Sequence, residues 1–152
     1  MDRNPNDFKS LGHKVNYDPT YNKDILECFE NEQENEYIIK LDCFEFTSLC
    51  PITHQPDFGC IKIAYVPDKY CVESKSLKLY LFSFRNTGIF HEDVVNVILN
   101  DFIELLNPKY LEVTGEFNSR GGISIKPYAN YGIENTKFEE IAYERMKSHL
   151  IG

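Results

Sequence analysis

The hydrophobic residues of this chain change their spacing twice, and that change constrains the fold more than any other feature. Over residues 37–46 and 58–66 apolar residues alternate with polar ones, which is typical of half-buried strands. Over residues 77–106 they recur every three or four positions, as in amphipathic helices, and over residues 110–129 the alternation returns. The order strand, strand, helix, helix, strand, strand predicts an α+β domain with an antiparallel sheet and its helices on one face.

The strand and helix boundaries follow from these periods and from turn residues. Strands are predicted over residues 37–46, 58–66, 110–117 and 123–129, and helices over residues 23–30, 74–84, 91–106 and 136–150. Residues 47–57 contain two prolines and no period, so they predict a loop. Pro127 cannot donate to a strand ladder, which indicates an edge strand. A four-stranded sheet has two open edges, and pairing of subunits edge to edge would close such sheets into an oligomeric barrel.

Composition narrows the classes of partner. Asp and Glu number 24 against 16 Lys and Arg, and the formal charge of −8 disfavours sequence-independent binding to nucleic acid. The five cysteines form no CxxC pair and predict free thiols in a reducing compartment. The polar N-terminus lacks a signal-peptide pattern, and no apolar stretch reaches membrane-spanning length. We expect a cytoplasmic single domain over residues 1–152, with residues 1–35 a polar extension of no assigned role.

The predicted loop over residues 47–57 concentrates reactive side chains. Cys50, His54 and Asp57 lie within eight residues, and Cys50 becomes a nucleophile if its pKa is lowered. Alternatively, Cys50 is a small buried residue and Asp57 a turn former, and the local pattern leaves both interpretations open. A metal site is a weaker hypothesis, with Cys50 and His54 as ligands and Cys60 or Cys71 as the third. The ligands have no recurrent metal-binding spacing.

A second group surrounds the predicted start of the helix at residue 74. Glu73 precedes the helix, and Ser74 is a candidate N-cap. Lys75 and Lys78 share one side of the first turns, so backbone amides and two ammonium groups together suit a phosphate. The alternative is an ordinary solvated helix start.

Two further candidates lie later in the chain. Acidic residues in a first helical turn are favourable without any function, so Glu92 needs no special explanation, whereas His91 beside it does. Arg120 precedes Gly121 and Gly122 in a predicted turn. Such a turn is often only flexible, but an arginine there suits bidentate binding of a phosphate.

Three motifs carry a resemblance to a known family. The segments EFTSLCPITHQPDF, CVESKSLKLYLFSFRNTGIFHED and RGGISIKPY resemble the 7-cyano-7-deazaguanine reductases, NADPH-dependent nitrile reductases of queuosine biosynthesis, a tRNA modification, in their short single-module form. The ESKSLK segment is the most specific of the matches. The resemblance implies the tunnelling fold, in which ββααββ subunits close into barrels that stack as a homo-oligomer.

The resemblance also implies roles for the candidate residues. Cys50 is the nucleophile that forms a covalent thioimide with the nitrile, Asp57 is the proton donor, and His91 assists proton transfer. No metal is implied. The implied contacts to the deazaguanine come from Val72, Glu73, Ser74, His91 and Glu92, and those to NADPH come from Lys75, Lys78, Arg120 and Gly121.

Two other functions remain as alternatives at this point. A zinc-dependent hydrolase that resembles GTP cyclohydrolase would share the fold, but the loop reads Cys-Pro-Ile-Thr-His and lacks the Cys-Glu-His-His run of that class. A purine-binding module without catalysis would keep the binding carboxylates and leave Cys50 inert.

Overall fold

The computed structural model describes residues 9, 14 and 16–151, so most of the first 15 residues of the predicted N-terminal extension lie outside the described residues. A four-stranded antiparallel sheet has the order β2-β3-β5-β6, with β2 and β6 as its edges. These strands are β2 (Ile39–Leu49), β3 (Pro56–Val66), β5 (Tyr110–Phe117) and β6 (Tyr128–Gly132). The helices are α1 (Ser74–Phe82), α2 (His91–Leu106) and α3 (Lys137–Ile151). The predicted α+β class is confirmed.

One face of the sheet and the stripe of α2 form the main core. Ile61, Ile63 and Tyr65 alternate along β3 toward this face, and Ile98 and Phe102 of α2 are fully buried against it. The bounds of α2 and β5 are those that the sequence predicts. None of the helices in the described part of the chain combines the length and the apolar character needed to cross a bilayer.

The prediction that all helices lie on one face is wrong for α3. Phe138 and Ala142 of this helix form a separate buried cluster with Val66 and Tyr110. Those two strand residues are adjacent in sequence to inward-facing residues, so their side chains point to the opposite face of the sheet. A third helix can therefore cover part of that face without touching the main core.

The predicted loop over residues 47–57 is too long at both ends. Strand β2 continues to Leu49 and β3 begins at Pro56, and these two residues are register partners. Proline is tolerated as the first residue of a strand, so it did not exclude pairing here. A register shift between Cys43 and Phe46 interrupts the simple alternation and turns Phe46 and Ser48 into the core.

The predicted last strand, residues 123–129, is displaced along the chain to Tyr128–Gly132. The residues before it touch β5 through single hydrogen bonds, from the Gly115 amide to the Pro127 carbonyl and from the Phe117 amide to the Ile125 carbonyl. Pro127 has no amide hydrogen to return, so a regular ladder begins only after it.

The predicted helix over residues 23–30 is also wrong. A single 3₁₀ turn covers Lys23–Ile25, and β1 (Cys28–Glu30) follows. This short strand pairs with β4 (Tyr70–Val72) in a separate two-stranded sheet, which the sequence did not predict because three-residue strands carry too little periodicity.

Candidate active site

The tight turn between β2 and β3 presents Cys50. The Cys50 amide donates to the Gln55 carbonyl at 2.9 Å, and the His54 amide donates to the Cys50 carbonyl at 2.9 Å. His54 takes a left-handed conformation with φ of 57°, which lets the chain reverse within six residues. The half-buried thiol is therefore fixed at one end of the main sheet.

The surroundings of Cys50 make its thiol acidic. Hydrogen bonds from the Thr53 side chain and from the amides of Thr53 and Ile52 outweigh burial and, with a smaller contribution from Arg120, lower the pKa of the Cys50 thiol to about 7. The thiolate is the nucleophilic form of cysteine. A thiol with this pKa supplies a substantial thiolate fraction at neutral pH, as covalent catalysis requires.

Asp57 lies near the start of β3, almost completely buried, and is held from two sides. Its Oδ1 is 2.9 Å from Nη1 of Arg120, and its Oδ2 is 3.2 Å from Nε2 of His91. Arg120 also donates from Nη2 to the Gln55 side chain at 2.5 Å. One guanidinium therefore connects the turn that carries Cys50 with the buried carboxylate.

His91 is the first residue of α2, and its ring stacks on Phe117 with the ring centroids 3.8 Å apart. Its Nε2 lies within ion-pair distance of Asp57, but the alignment is not that of a hydrogen bond, and this buried atom has no hydrogen-bond partner among the described residues. The buried hydroxyl of Ser48, the register partner of Asp57, has none in that part of the chain either. Two unsatisfied polar atoms beside one carboxylate mark a site prepared for another polar group.

The sequence did not identify Ser48. The signal that would have found it is the continuation of the β2 alternation past Phe46, which places the hydroxyl opposite Asp57 rather than in a loop.

The residues predicted at the start of α1 have different environments. Val72 and Glu73 are buried, and the carboxylate of Glu73 accepts hydrogen bonds from the amides of Lys75 at 2.8 Å and Ser76 at 2.7 Å. Glu73 is therefore the N-cap of α1, and the prediction that Ser74 is the cap is wrong. Ser74 is exposed.

Glu92 follows His91 in the first turn of α2 and is exposed. Its carbonyl accepts a hydrogen bond from the Asn96 side chain, so only its backbone is engaged there. The carboxylate lies one residue from the ring that faces Asp57, as the sequence predicts.

The predicted cofactor residues divide into two groups. Arg120 contacts Asp57 and Gln55 at the catalytic cluster, and Gly121 follows it with a left-handed φ of 59°. Lys75 and Lys78 lie on α1, and Lys78 is exposed at a large cavity. Arg120 is thus engaged at the catalytic cluster, whereas Lys78 lines the cavity together with Ser119, the residue before Arg120.

The cavity has a volume of about 1440 Å³, above the range of roughly 300–1,000 Å³ that is usual for small-molecule sites. Cys50, Asp57, His91 and Arg120 are not among the residues that line it, but its wall includes Phe117, whose ring stacks on His91. Its lining includes Ser74, Lys78, Phe82 and Arg85 on one side, and residues of β2, β3 and β5 on the other.

The weaker metal hypothesis gains no support from the described residues. No three His, Cys, Asp or Glu side chains among them are grouped so that they could hold a metal ion. Cys60 and Cys71 lie in β3 and β4, while Cys50 and His54 lie in the turn.

Comparisons with known proteins agree on one family. A family model described as QueF-like protein matches residues 56–136. The chain is 60% identical over 140 residues to the NADPH-dependent 7-cyano-7-deazaguanine reductase of Bacteroides fragilis. The alignment covers 91% of this chain and 93% of that protein. A protein of the same name from Streptococcus mutans is 59% identical over 145 residues, 94% of this chain and 90% of that protein.

A solved structure shares the fold. The archaeosine synthase QueF-Like in its apo form superimposes with a TM-score of 0.61 and 23% identity, over 66% of this chain and 98% of that chain.

Proposed function

Because the chain belongs to the QueF-like protein family, we propose that it reduces the nitrile of 7-cyano-7-deazaguanine to the primary amine of 7-aminomethyl-7-deazaguanine with NADPH, a step of queuosine biosynthesis. Relatives of about 60% identity over nine-tenths of the chain are named for this reductase activity. The observation that carries the proposal is the acidic thiol of Cys50 beside the buried carboxylate of Asp57, joined through Arg120.

The reaction begins at Cys50. A nitrile carbon accepts hydride poorly until a nucleophile adds to it, and the thiolate of Cys50 provides that nucleophile. A C–S bond forms, one π bond of the nitrile breaks, and the nitrogen takes the proton that the Cys50 thiol has given up, which the Asp57 carboxyl group accepts and then donates. The product of this step is a thioimide that holds the substrate on the protein.

Reduction of the thioimide and then of an imine follows, and the protein supplies the protons. After hydride reaches the thioimide carbon, the C–S bond breaks, the Cys50 thiolate leaves, and an imine remains. A second hydride reduces the imine carbon, and a second proton on nitrogen completes the amine. His91 assists this proton transfer, since its unsatisfied Nε2 faces Asp57 at 3.2 Å. Two hydrides and two protons balance the change from nitrile to amine.

NADPH, when bound, supplies the hydride for each reduction. The residues present suit such a group, because an exposed lysine faces a cavity whose wall includes Phe117, the ring that stacks on His91. We propose that Lys75 and Lys78 bind its phosphates. Arg120 and Gly121 remain proposed NADPH contacts at the end of the site nearest Cys50, where Arg120 also contacts Asp57 and Gln55.

Recognition of the deazaguanine is proposed for two helix starts. A carboxylate such as Glu92 accepts hydrogen bonds from the ring N–H and amino donors of a guanine-like edge. Val72, Glu73 and Ser74 complete this recognition at the start of α1. The carboxylate of Glu73 accepts one amide hydrogen bond on each oxygen and keeps acceptor capacity for the substrate.

We further propose that the protein adopts the tunnelling fold as a barrel-forming homo-oligomer. Support comes from the two sheet edges, β2 and β6, and from large apolar side chains at the surface. Phe44 is 74% exposed, Ile52 74% and Phe58 54%, and all three lie in β2, β3 or the turn between them. Analytical ultracentrifugation at micromolar concentration tests this, and a stable folded species of 17.8 kDa would refute it.

The reaction is tested by intact-protein mass spectrometry without cofactor. Incubation with 7-cyano-7-deazaguanine is expected to add the whole mass of the nitrile, since addition expels no leaving group, and peptide mapping is expected to locate it on Cys50. Cys50→Ala abolishes the adduct. Cys28→Ala is the matched control, because Cys28 lies in β1 and burial raises the pKa of its thiol. Absence of the adduct in the natural protein, with reduction retained by Cys50→Ala, would overturn the mechanism.

A further inference from the structure

A row of four side chains lines the α1 side of the large cavity. The ammonium of Lys78 lies 5.5 Å from the centroid of the Tyr17 ring, and the Tyr17 ring meets the Phe82 ring edge-on at 4.7 Å. The guanidinium of Arg85 lies 5.5 Å from the centroid of the Phe82 ring. All four residues line the cavity. We call this row of cation, ring, ring and cation the cation–aromatic ladder.

The two cations stand at opposite ends of the ladder. Lys78 lies within α1, and Arg85 lies in the turn that continues from it, where the Arg85 amide donates to the Phe82 carbonyl at 3.0 Å. Seven residues of helical or near-helical chain correspond to about two turns, or roughly 10 Å along the axis, and keep both side chains on one side. The ladder therefore offers two positive charges with an aromatic surface between them.

Charge is divided across the cavity. The carboxylates that line it, Asp42, Glu45 and Glu116, come from β2 and β5, and Glu116 is already paired with Lys62 at 2.9 Å. Lys78 and Arg85 are exposed, and neither forms an ion pair with a carboxylate of the described residues. Two unpaired cations on one side of a cavity suit an anionic ligand.

A buried carboxylate anchors the chain segment next to the ladder. The hydroxyls of Tyr21 and Tyr80 both donate to Oδ2 of Asp101 at 2.6 Å, and the Tyr21 ring packs against Phe84 at 4.9 Å. These contacts anchor the irregular segment that carries Tyr17 to α1 and α2. Tyr21 follows Tyr17 by four residues, so the segment that carries Tyr17 is anchored close to α1.

We propose that the cation–aromatic ladder is the subsite for the adenosine 2′-phosphate portion of NADPH, and that Arg85 is the residue that selects NADPH over NADH. The proposal deepens the proposed function, on which it rests. The planar fork of an arginine matches the dianionic 2′-phosphate bidentately, while Lys78, a point charge, neutralises the pyrophosphate. The rings of Tyr17 and Phe82 offer the adenine a stacking surface. Arg120, by contrast, is engaged with Asp57 and Gln55.

Calorimetric titration with adenosine 2′,5′-bisphosphate and with 5′-AMP isolates the 2′-phosphate. Arg85→Ala is expected to weaken binding of the bisphosphate by roughly tenfold or more, and binding of 5′-AMP much less, since one charge-assisted contact is lost. Arg85→Lys is expected to give an intermediate loss and shows that the effect needs the fork rather than an intact fold alone. Lys147→Ala, which removes an exposed charge from α3, is the control and leaves both affinities unchanged.

Equal weakening of both nucleotides, or no change in either, would overturn the assignment of Arg85. Loss of the oligomer in Arg85→Ala without a change in the ratio of the two affinities would also overturn it, and would make this side of the cavity a subunit contact.

The proposed reaction at Cys50 and the proposed nucleotide subsite can be refuted independently of each other. The Cys50 adduct forms without NADPH, so natural protein that makes no adduct refutes the proposed reaction, while nucleotide discrimination still tests the ladder. Arg85→Ala is expected to form the adduct as the natural protein does, because Arg85 is outside the catalytic cluster. Natural protein that forms the adduct together with Arg85→Ala that keeps full discrimination refutes only the ladder.

Discussion

Two carboxylates of the main sheet, Asp57 and Glu112, are each held by an arginine from a distant part of the chain, and only one of them lies in a reactive setting. Asp57 contacts Arg120 at 2.9 Å and faces His91, whose Nε2 has no hydrogen-bond partner among the described residues. The carboxylate of Glu112 in β5 accepts hydrogen bonds from Nε and Nη2 of Arg145, both at 3.0 Å.

The two carboxylates differ in how far the protein itself supplies hydrogen-bond partners to each of them and to the polar atoms around it. Oε2 of Glu112 also accepts from the hydroxyls of Tyr110 at 2.6 Å and Tyr128 at 2.8 Å, so the carboxylate accepts four hydrogen bonds from the protein itself. Burial tends to raise the pKa of Glu112, but the hydrogen bonds from Arg145 and the tyrosines outweigh it and leave that pKa lowered. An arginine–carboxylate pair is therefore no sign of chemistry by itself. An acidic thiol and unsatisfied polar atoms nearby distinguish the Asp57 region.

The largest expected effect tests this contrast through turnover. Asp57→Asn keeps the shape of the side chain but removes the proton donor, so kcat for nitrile reduction is expected to fall by roughly 10²–10⁴-fold. Glu112→Gln, the matched change, is expected to leave kcat essentially unaltered. Steady-state oxidation of NADPH measures both. Equal losses from the two substitutions would remove the distinction between the regions.

How much of this could be read from the sequence depends on the range of each interaction. The bounds of α2 and β5 were predicted because their periods are uninterrupted and end at turn residues. Cys50, Asp57 and His91 were identified as candidates from local pattern and family resemblance. The pairing of Arg120 with Asp57, 63 positions apart, depends on how two hairpins pack. No local spacing encodes that contact.

The incorrect predictions of the last strand and of α3 also arise from contacts between residues far apart in the sequence. The strand shift past Pro127 and the placement of α3 on the second face depend on pairing with β5 and on a small cluster around Tyr110. The cation–aromatic ladder joins Tyr17 to α1 through tertiary contacts alone.

The next effect concerns the nucleophile beside Asp57. The pKa of Cys50 is lowered to about 7, whereas burial, Cys60 and Asp42 raise the pKa of Cys43 to about 11. A thiolate fraction grows with pH through the pKa, so alkylation of Cys50 is expected to rise with a midpoint near pH 7 and that of Cys43 only far above it. After allowing for the weaker nucleophilicity of an acidic thiol, Cys50 is expected to react roughly 100-fold faster at pH 7.

Iodoacetamide labelling with peptide mapping across pH measures this ratio. Arg120→Ala is expected to move the Cys50 midpoint upward, because one hydrogen bond to the sulfur is lost. A midpoint for Cys50 near the ordinary thiol value would show that the turn does not activate the sulfur.

A smaller effect tests the saturated carboxylate through stability. Glu112→Gln is expected to lower the free energy of unfolding by about 1–2 kcal/mol at neutral pH, since the half-exposed Arg145 loses its charged partner. The lowered pKa of Glu112 gives the sign of the pH dependence. Its contribution is complete above the ordinary glutamate pKa of about 4.3 and is lost as pH falls through the lower folded-state value.

Urea unfolding at neutral pH and at pH values below 4.3 is the measurement, with the difference between Glu112→Gln and the natural protein expected to shrink in acid. A difference that is independent of pH would mean that the ion pair contributes nothing and that packing alone holds α3.

The smallest expected effect contrasts two buried serines. Ser48 lies opposite Asp57 with a buried hydroxyl that has no partner among the described residues, whereas the equally buried hydroxyl of Ser83 donates to the Tyr80 carbonyl. Burying an unpaired hydroxyl is unfavourable, so Ser48→Ala is expected to leave the free energy of unfolding unchanged or raise it by up to about 1 kcal/mol. Ser83→Ala removes a satisfied hydrogen bond and is expected to lower it by about 1 kcal/mol.

Thermal and urea unfolding of the two variants decide the sign. If Ser48→Ala instead destabilises the protein as much as Ser83→Ala does, the hydroxyl has an ordered partner in solution, and the Asp57 region is as fully satisfied as the Glu112 region. If the expected sign is found together with reduced kcat, the unsatisfied hydroxyl is retained at a cost in stability because the reacting substrate uses it, and the contrast between the two carboxylates extends to the residues around them.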